Sequence, residues 1–127
     1  MKQIFDKLKH LLFGDQSAAA LSYVVLRDIR DPSNTRFLSV TLNPNGSLHI
    51  NGRDDGDEVE RILGEPEYEW HWDIKQAEVT RFCTALGEPE HLMVAIKDRF
   101  SGDQSSELSS FLEEHGITYE TWSRVGD

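Results

Sequence analysis

The sequence predicts an α+β domain with a predominantly antiparallel four- or five-stranded sheet and helices packed on one face. Apolar and polar residues alternate with a period of two in several segments up to residue 74, which is typical of strands with one wet face. After residue 75, three stretches repeat apolar residues at helical spacing. We expect one domain over residues 1–127.

An amphipathic helix is predicted at the start of the chain, over residues 1–14. Its apolar residues fall on one helical stripe, and they are Ile4, Phe5, Leu8, Leu11 and Leu12. The opposite face is basic, and Gly14 is placed to end the helix. The preferred interpretation is a helix docked on its own domain, and a membrane-surface helix is the alternative.

Three strands are predicted next, joined by two turns. Residues 21–29 are rich in β-branched and aromatic side chains, and residues 36–42 alternate cleanly. Residues 31–34 and 43–46 have turn chemistry, and the Asn-Pro-Asn-Gly sequence of the second favours a hairpin. Residues 47–52 continue the alternation as the returning strand.

An acidic segment, residues 54–58, interrupts the strand pattern. Val59, Ile62 and Leu63 then follow at helical spacing, which fits a short helix or a compact loop. The fourth strand is predicted over residues 67–74.

The remaining elements are three helices and a final strand. The helices are predicted over residues 79–86, 89–100 and 108–115, each followed by a glycine. Residues 117–124 alternate as a last strand, whose position in the sheet the sequence leaves open. The expected core comprises Leu38, Val40, Leu42, Leu48, Ile50, Tyr68, Trp70, Trp72, Phe82, Leu86, Leu92, Ile96, Phe111 and Leu112.

The fourth strand carries the most informative pattern, because acids and aromatic residues alternate strictly along it. Successive strand side chains point to opposite faces, so Tyr68, Trp70, Trp72 and Ile74 are expected toward the helices. The other face then presents a polar row of Glu67, Glu69, His71 and Asp73. The row is either a surface for a basic partner or a solvated sheet face, with Arg36 or Arg53 as cross-strand counterions.

Composition limits the classes of partner. The chain has 127 residues with 23 acids against 13 bases, a net charge of −10, which disfavours binding to nucleic acid and favours a basic protein partner. A single cysteine allows no intrachain disulfide and suggests a reducing compartment. We find no signal peptide and no apolar run of about 20 residues, so a cytoplasmic location without a membrane span is expected.

Catalytic and metal-binding motifs are absent from the sequence. The five histidines show no His-x-x-x-His spacing, and the best local group is His71 between Glu69 and Asp73, joined by His49 from a paired strand. A calcium-loop match over residues 51–62 fails at two ligand positions. Cys83 lies on an apolar helical stripe, which favours core packing over nucleophilic chemistry. We therefore expect no enzymatic activity and no cofactor.

Three groups of residues resemble a loosely defined, uncharacterised group of small acidic bacterial proteins. They are Leu48-x-Ile50-x-Gly52-x-Asp54, Gly64-x-x-Glu67-Tyr-Glu-Trp70, and Phe111-Leu-x-Glu-x-Gly-Ile117 with Trp122. The resemblance spans roughly residues 20–125. It implies a bacterial cytoplasmic binding protein, because some similar proteins sit beside toxin genes as immunity partners.

The predicted function is a small acidic protein-binding module, of immunity type or a regulatory partner of a basic protein. Glu67, Glu69, His71 and Asp73 are the expected contact residues. Two alternatives remain: a metal-dependent enzyme using His49, His71 and acids on the sheet face, and a homo-oligomeric structural subunit. The sequence leaves the oligomeric state open.

Overall fold

The computed structural model describes residues 21–126, and these form one five-stranded antiparallel sheet with four α-helices. The predicted α+β class is therefore confirmed. The helix predicted over residues 1–14 lies outside the described residues. Across the sheet the strands follow chain order from β1 to β5, so each strand pairs with its neighbours in sequence. The strands are β1 (Tyr23–Arg30), β2 (Asn34–Leu42), β3 (Leu48–Gly56), β4 (Glu67–Ile74) and β5 (Glu120–Gly126).

The turn between β2 and β3 forms as its sequence predicts. Gly46 has a φ of +88°, a conformation that glycine adopts without steric cost. The backbone N–H of Asn43 donates to the carbonyl oxygen of Ser47 at 2.9 Å, which closes the hairpin. The hairpin fixes the register so that Val40 lies opposite Ile50. Both side chains therefore point to the same face of the sheet.

One helix connects β3 to β4, and three helices lie between β4 and β5 along the chain. They are α1 (Asp57–Leu63), α2 (Gln76–Ala85), α3 (Leu92–Phe100) and α4 (Leu108–Glu114), with a 3₁₀ turn (Gly102–Glu107) before α4. Helices α2, α3 and α4 each bury apolar residues. Helix α1 buries none of its residues, and Ile62 and Leu63 remain 66% and 45% exposed although their spacing is that of a core-facing stripe.

The core lies between one face of the sheet and the helices. Its buried apolar residues are Val24, Leu26, Leu38, Val40, Leu48, Ile50, Ile74, Val79, Phe82, Met93, Ile96, Phe100, Leu108, Phe111, Leu112 and Ile117. Trp70 and Trp72 pack against this cluster, which confirms the predicted orientation of β4. Tyr68 is only half-buried and lies outside the cluster, so its predicted place in the core is wrong.

Strand β3 ends later than predicted, and β5 has a position in the sheet that the sequence left open. Strand β3 continues to Gly56, so the predicted interruption at residues 54–58 is wrong for its first half. The strand continues because Asp54 and Asp55 pair on both sides, with β2 and with β4. Strand β5 lies at the sheet edge, antiparallel to β4, with Trp122 opposite His71.

Candidate functional site

The face of the sheet opposite the core carries no helix in the part of the chain that the structure describes. We call it the open face. The strand registers place the following side chains on it: Tyr23, Val25, Asp28, Arg30, Thr35, Phe37, Ser39, Thr41, His49, Asn51, Arg53, Asp55, Glu67, Glu69, His71, Asp73, Glu120, Trp122 and Arg124. The predicted polar row of β4 thus lies at the centre of a chemically mixed surface.

Two carboxylates of the polar row pair with arginines on adjacent strands. Glu67 pairs with Arg53 of β3, as the sequence suggested for this arginine. Arg124 of β5 donates to Glu69 through Nη2 at 2.7 Å. Arg36, the other candidate counterion, lies opposite Asp54 and therefore points to the helix side of the sheet. The row is consequently a fixed, partly neutralised array rather than a strip of free negative charge.

A continuous chain of hydrogen bonds runs through the middle of the row, and we call it the His49–His71 chain. Asp73 Oδ1 lies 2.6 Å from His49 Nδ1, and His49 Nε2 lies 2.9 Å from His71 Nδ1. At the other end, His71 Nε2 lies 3.2 Å from Glu69 Oε2. The sequence grouped these four residues, and the β3–β4 register brings the two imidazoles into contact.

Carboxylates form both ends of the His49–His71 chain. An ionised carboxylate only accepts hydrogen bonds, so the imidazole nitrogens that face Asp73 and Glu69 are the donors there. Asn51 adds a further polar contact, with its Nδ2 3.0 Å from His71 Nδ1.

Trp122 covers the His71 end of the His49–His71 chain from the solvent side. Its ring lies parallel to that of His71, with centroids 3.8 Å apart and an interplanar angle of 10°. His71 is only 7% exposed as a result, whereas Trp122 itself is 51% exposed. Trp122 was not predicted from the sequence as a site residue. The alternation of the last strand was the available signal, but its pairing with β4 was not known.

The environment of Glu69 favours its ionised form. Burial alone would raise the pKa of this carboxyl, but hydrogen bonds from His71 and Asn51 and the charge of Arg124 outweigh it. The net result is a pKa held below the ordinary glutamate value. Glu69 thus remains an anion that orients both His71 and Arg124.

No metal centre is built from the residues in 21–126, where no group of three or more His, Cys, Asp or Glu side chains is arranged to hold an ion. The nitrogens of His49 and His71 that face each other are occupied by their mutual hydrogen bond. Asp54 and Asp55 of the calcium-like segment point to opposite faces of β3, so they cannot converge on one ion.

Cys83 is half-buried against the core, in agreement with its predicted packing role. Burial, together with the nearby Glu88 carboxylate, raises the pKa of its thiol. A raised pKa keeps the thiol protonated and therefore weakly nucleophilic.

No protein-family model, no curated protein and no solved structure matches this chain. Among the helices of residues 21–126, none is long and apolar enough to cross a membrane. Chemistry and geometry at the open face therefore carry the functional inference.

Proposed function

We propose that the chain is a small protein-binding module whose open face binds a basic protein, as a regulatory or immunity-type partner. The observation that carries this proposal is the arrangement around Trp122. An aromatic side chain, 51% exposed, stacks on His71 at the centre of the row formed by Glu67, Glu69, His71 and Asp73. Tryptophan is enriched among residues that dominate binding energy at interfaces.

Charge on the open face favours a cationic partner. The face carries six carboxylates and three guanidinium groups in the described residues, the carboxylates being Asp28, Asp55, Glu67, Glu69, Asp73 and Glu120. Cross-strand arginines hold Glu67 and Glu69, and His49 holds Asp73. Because these three side chains are already fixed, they lose little further entropy on binding. A preorganised negative surface speeds the association of a positive one.

The size of the open face favours a small interface. Five strands spaced about 4.8 Å apart and eight residues long give a surface of roughly 19 by 27 Å, or about 500 Å². A standard interface buries about 800 Å² on each partner. The face alone thus suits an electrostatically steered complex, with adjacent loops supplying the remaining contact area.

Site-specific photo-crosslinking in the native host tests the proposal and identifies the partner at the same time. A crosslinking residue replaces Trp122 in one version and Thr80, an exposed residue on α2, in the other. Crosslinks to a basic host protein from position 122 and none from position 80 are expected. Capture of the same proteins from both positions would contradict a specific open-face interface.

Association kinetics with the identified partner then test the role of charge. Glu67→Lys with Glu69→Lys is expected to slow association at least tenfold at low salt, and wild-type association should slow as salt rises. The matched control is Glu113→Lys with Glu114→Lys, which makes the same charge change on exposed residues of α4. Equal effects of both double variants would mean that net charge, not the open face, drives binding. Circular dichroism verifies that each variant is folded.

A further inference from the structure

A cavity of about 460 Å³ lies beside α1 at the end of the β2–β3 hairpin remote from the Asn43–Gly46 turn. We call it the hairpin-end cavity. Its lining includes Arg36, Asp54, Val59, Ile62, Leu63 and Tyr68. Its volume is within the range of binding pockets for small organic groups. It is distinct from the His49–His71 chain, because Asp54 and Tyr68 point to the helix side of the sheet.

The apolar wall of the cavity is unusual for its position in the fold. Val59, Ile62 and Leu63 have the spacing of an apolar helix face, which normally packs against a core. No residue of α1 is buried, and Ile62 is 66% exposed. A helix that presents its apolar face to an open cavity has surface available for a ligand's hydrocarbon part.

The polar wall is predominantly negative. Four carboxylates line the cavity, those of Asp31, Asp54, Asp55 and Glu58, against the single guanidinium of Arg36. Three of them are held by local contacts: Asp31 accepts the N–H of Asn34 at 2.8 Å, and Asp55 and Glu58 pair with Arg53 and Arg61. Charge complementarity therefore favours a cationic ligand group.

Asp54 is the carboxylate whose hydrogen bonding is incomplete. Its Oδ1 is buried without a hydrogen-bond partner, and the nearest cationic atom is Arg27 Nη2 at 3.7 Å. Its side chain keeps 24% exposure and lines the cavity. Burial raises the pKa of Asp54, although Arg27 and Arg36 partly offset this effect. A cationic donor in the cavity that reaches the exposed part of this carboxylate would stabilise its ionised form.

The position of Tyr68 selects the kind of cation. Tyr68 is the direct cross-strand neighbour of Asp54, so its ring and the carboxylate lie side by side on one face of the sheet. A planar guanidinium can donate to a carboxylate and stack on an adjacent aromatic ring, whereas an ammonium group presents no flat surface. Ile62 and Leu63 would then cover the aliphatic stem.

We propose that the hairpin-end cavity receives an arginine side chain of a protein partner, with Asp54 as its counterion, Tyr68 as its stacking surface and Ile62 and Leu63 around its stem. The proposal rests on the proposed function in one respect, namely that the partner is a basic protein. The cavity shares Thr35 and Asp55 with the open face. The residues that would hold the arginine, Asp54, Tyr68, Ile62 and Leu63, belong neither to the open face nor to the His49–His71 chain, so the two proposals can fail separately.

The test uses nuclear magnetic resonance titration of the full chain at low salt, with butylguanidinium as the first probe. Saturable shifts are expected at the amides of Gly56, Val59 and Ile62, together with a lower pKa of Asp54 on binding. Asp54→Asn should weaken binding at least tenfold, and Ile62→Ser, at an exposed position, should weaken it severalfold. Trp122→Ala serves as the open-face control and should leave this titration unchanged.

Two further probes distinguish the chemistry and source of the ligand. Butylammonium should bind several times more weakly than butylguanidinium, and equal affinities would overturn the selection of arginine. A blocked Gly-Arg-Gly peptide should bind at least as tightly as butylguanidinium. If butylguanidinium binds and the peptide does not, the cavity is a site for a free small cation. That result would overturn the proposal that the ligand is an arginine side chain of a protein partner. If the chemical-shift changes are spread over all the acidic residues and Asp54→Asn does not affect them, the cations do not bind specifically at the cavity and the proposal is overturned.

Discussion

Trp70 lies directly over Gly52, its cross-strand neighbour on β3. A Cβ atom built on Gly52 would lie 2.0 Å from Trp70 Cε2 and 2.1 Å from Cζ2, far inside any van der Waals contact. The indole therefore occupies the space that a side chain at position 52 would take. The missing side chain lets Trp70 lie flat on the sheet, where it contacts Trp72 at a centroid distance of 4.7 Å.

Gly52→Ala is expected to displace Trp70 and to lower the free energy of unfolding by about 1–3 kcal/mol, as overpacked cores do. Urea denaturation followed by tryptophan fluorescence measures this loss. The control is the same substitution in a Trp70→Ala background, where the ring that causes the clash is gone. If Gly52→Ala lowers the free energy of unfolding as much in the Trp70→Ala background as in the wild type, the clash with Trp70 is not the cause.

His49→Phe is expected to lower the free energy of unfolding by about 1–3 kcal/mol, because it leaves Asp73 and His71 without their partner in the His49–His71 chain. Chemical denaturation near neutral pH measures the change. His115→Phe is the matched control, since His115 is exposed and its ring hydrogen-bonds locally, to the carbonyl oxygen of Phe111. If His115→Phe destabilises the protein as strongly, the His49–His71 chain makes no specific contribution to stability.

Glu69→Gln should destabilise the protein near neutral pH and have little effect in strong acid. The pKa of Glu69 is lowered in the folded state, so its ionised form is the one that folding favours. That contribution is present above the unfolded-state pKa and disappears as the pH falls through the folded-state pKa. Denaturation midpoints of both proteins between pH 7 and about pH 2 measure the difference. A difference that does not shrink on acidification would contradict the linkage.

Asp54→Asn is expected to show the opposite sign. Burial raises the pKa of Asp54 in the folded state, so the carboxylate opposes folding once the pH rises through the unfolded-state pKa. The asparagine variant should therefore be at least as stable as the wild type near neutral pH, and this advantage should vanish in strong acid. Thermal unfolding at both pH values provides the comparison. If Asp54→Asn destabilises the protein more at neutral pH than in acid, the ion pair of Asp54 with Arg27 outweighs the effect of burial.

Local pattern alone decided several features of this protein. The period-two alternation of β4 separated Trp70 and Trp72 from the row of Glu67, Glu69, His71 and Asp73, because the strand geometry itself assigns alternate side chains to opposite faces. The turn at residues 43–46 was equally local, since its proline restricts φ and its glycine permits the positive φ that the turn requires. The α+β class followed from the order of these patterns along the chain.

The tertiary structure decided which residues meet. The contact of His49 with His71 depends on the β3–β4 register, and the stacking of Trp122 on His71 depends on where β5 joins the sheet. Both are set by the packing of distant segments, which no short window of sequence contains. The exposure of Ile62 was hidden for the same reason: helical spacing identifies an apolar face, but only the packed structure determines whether anything lies against it.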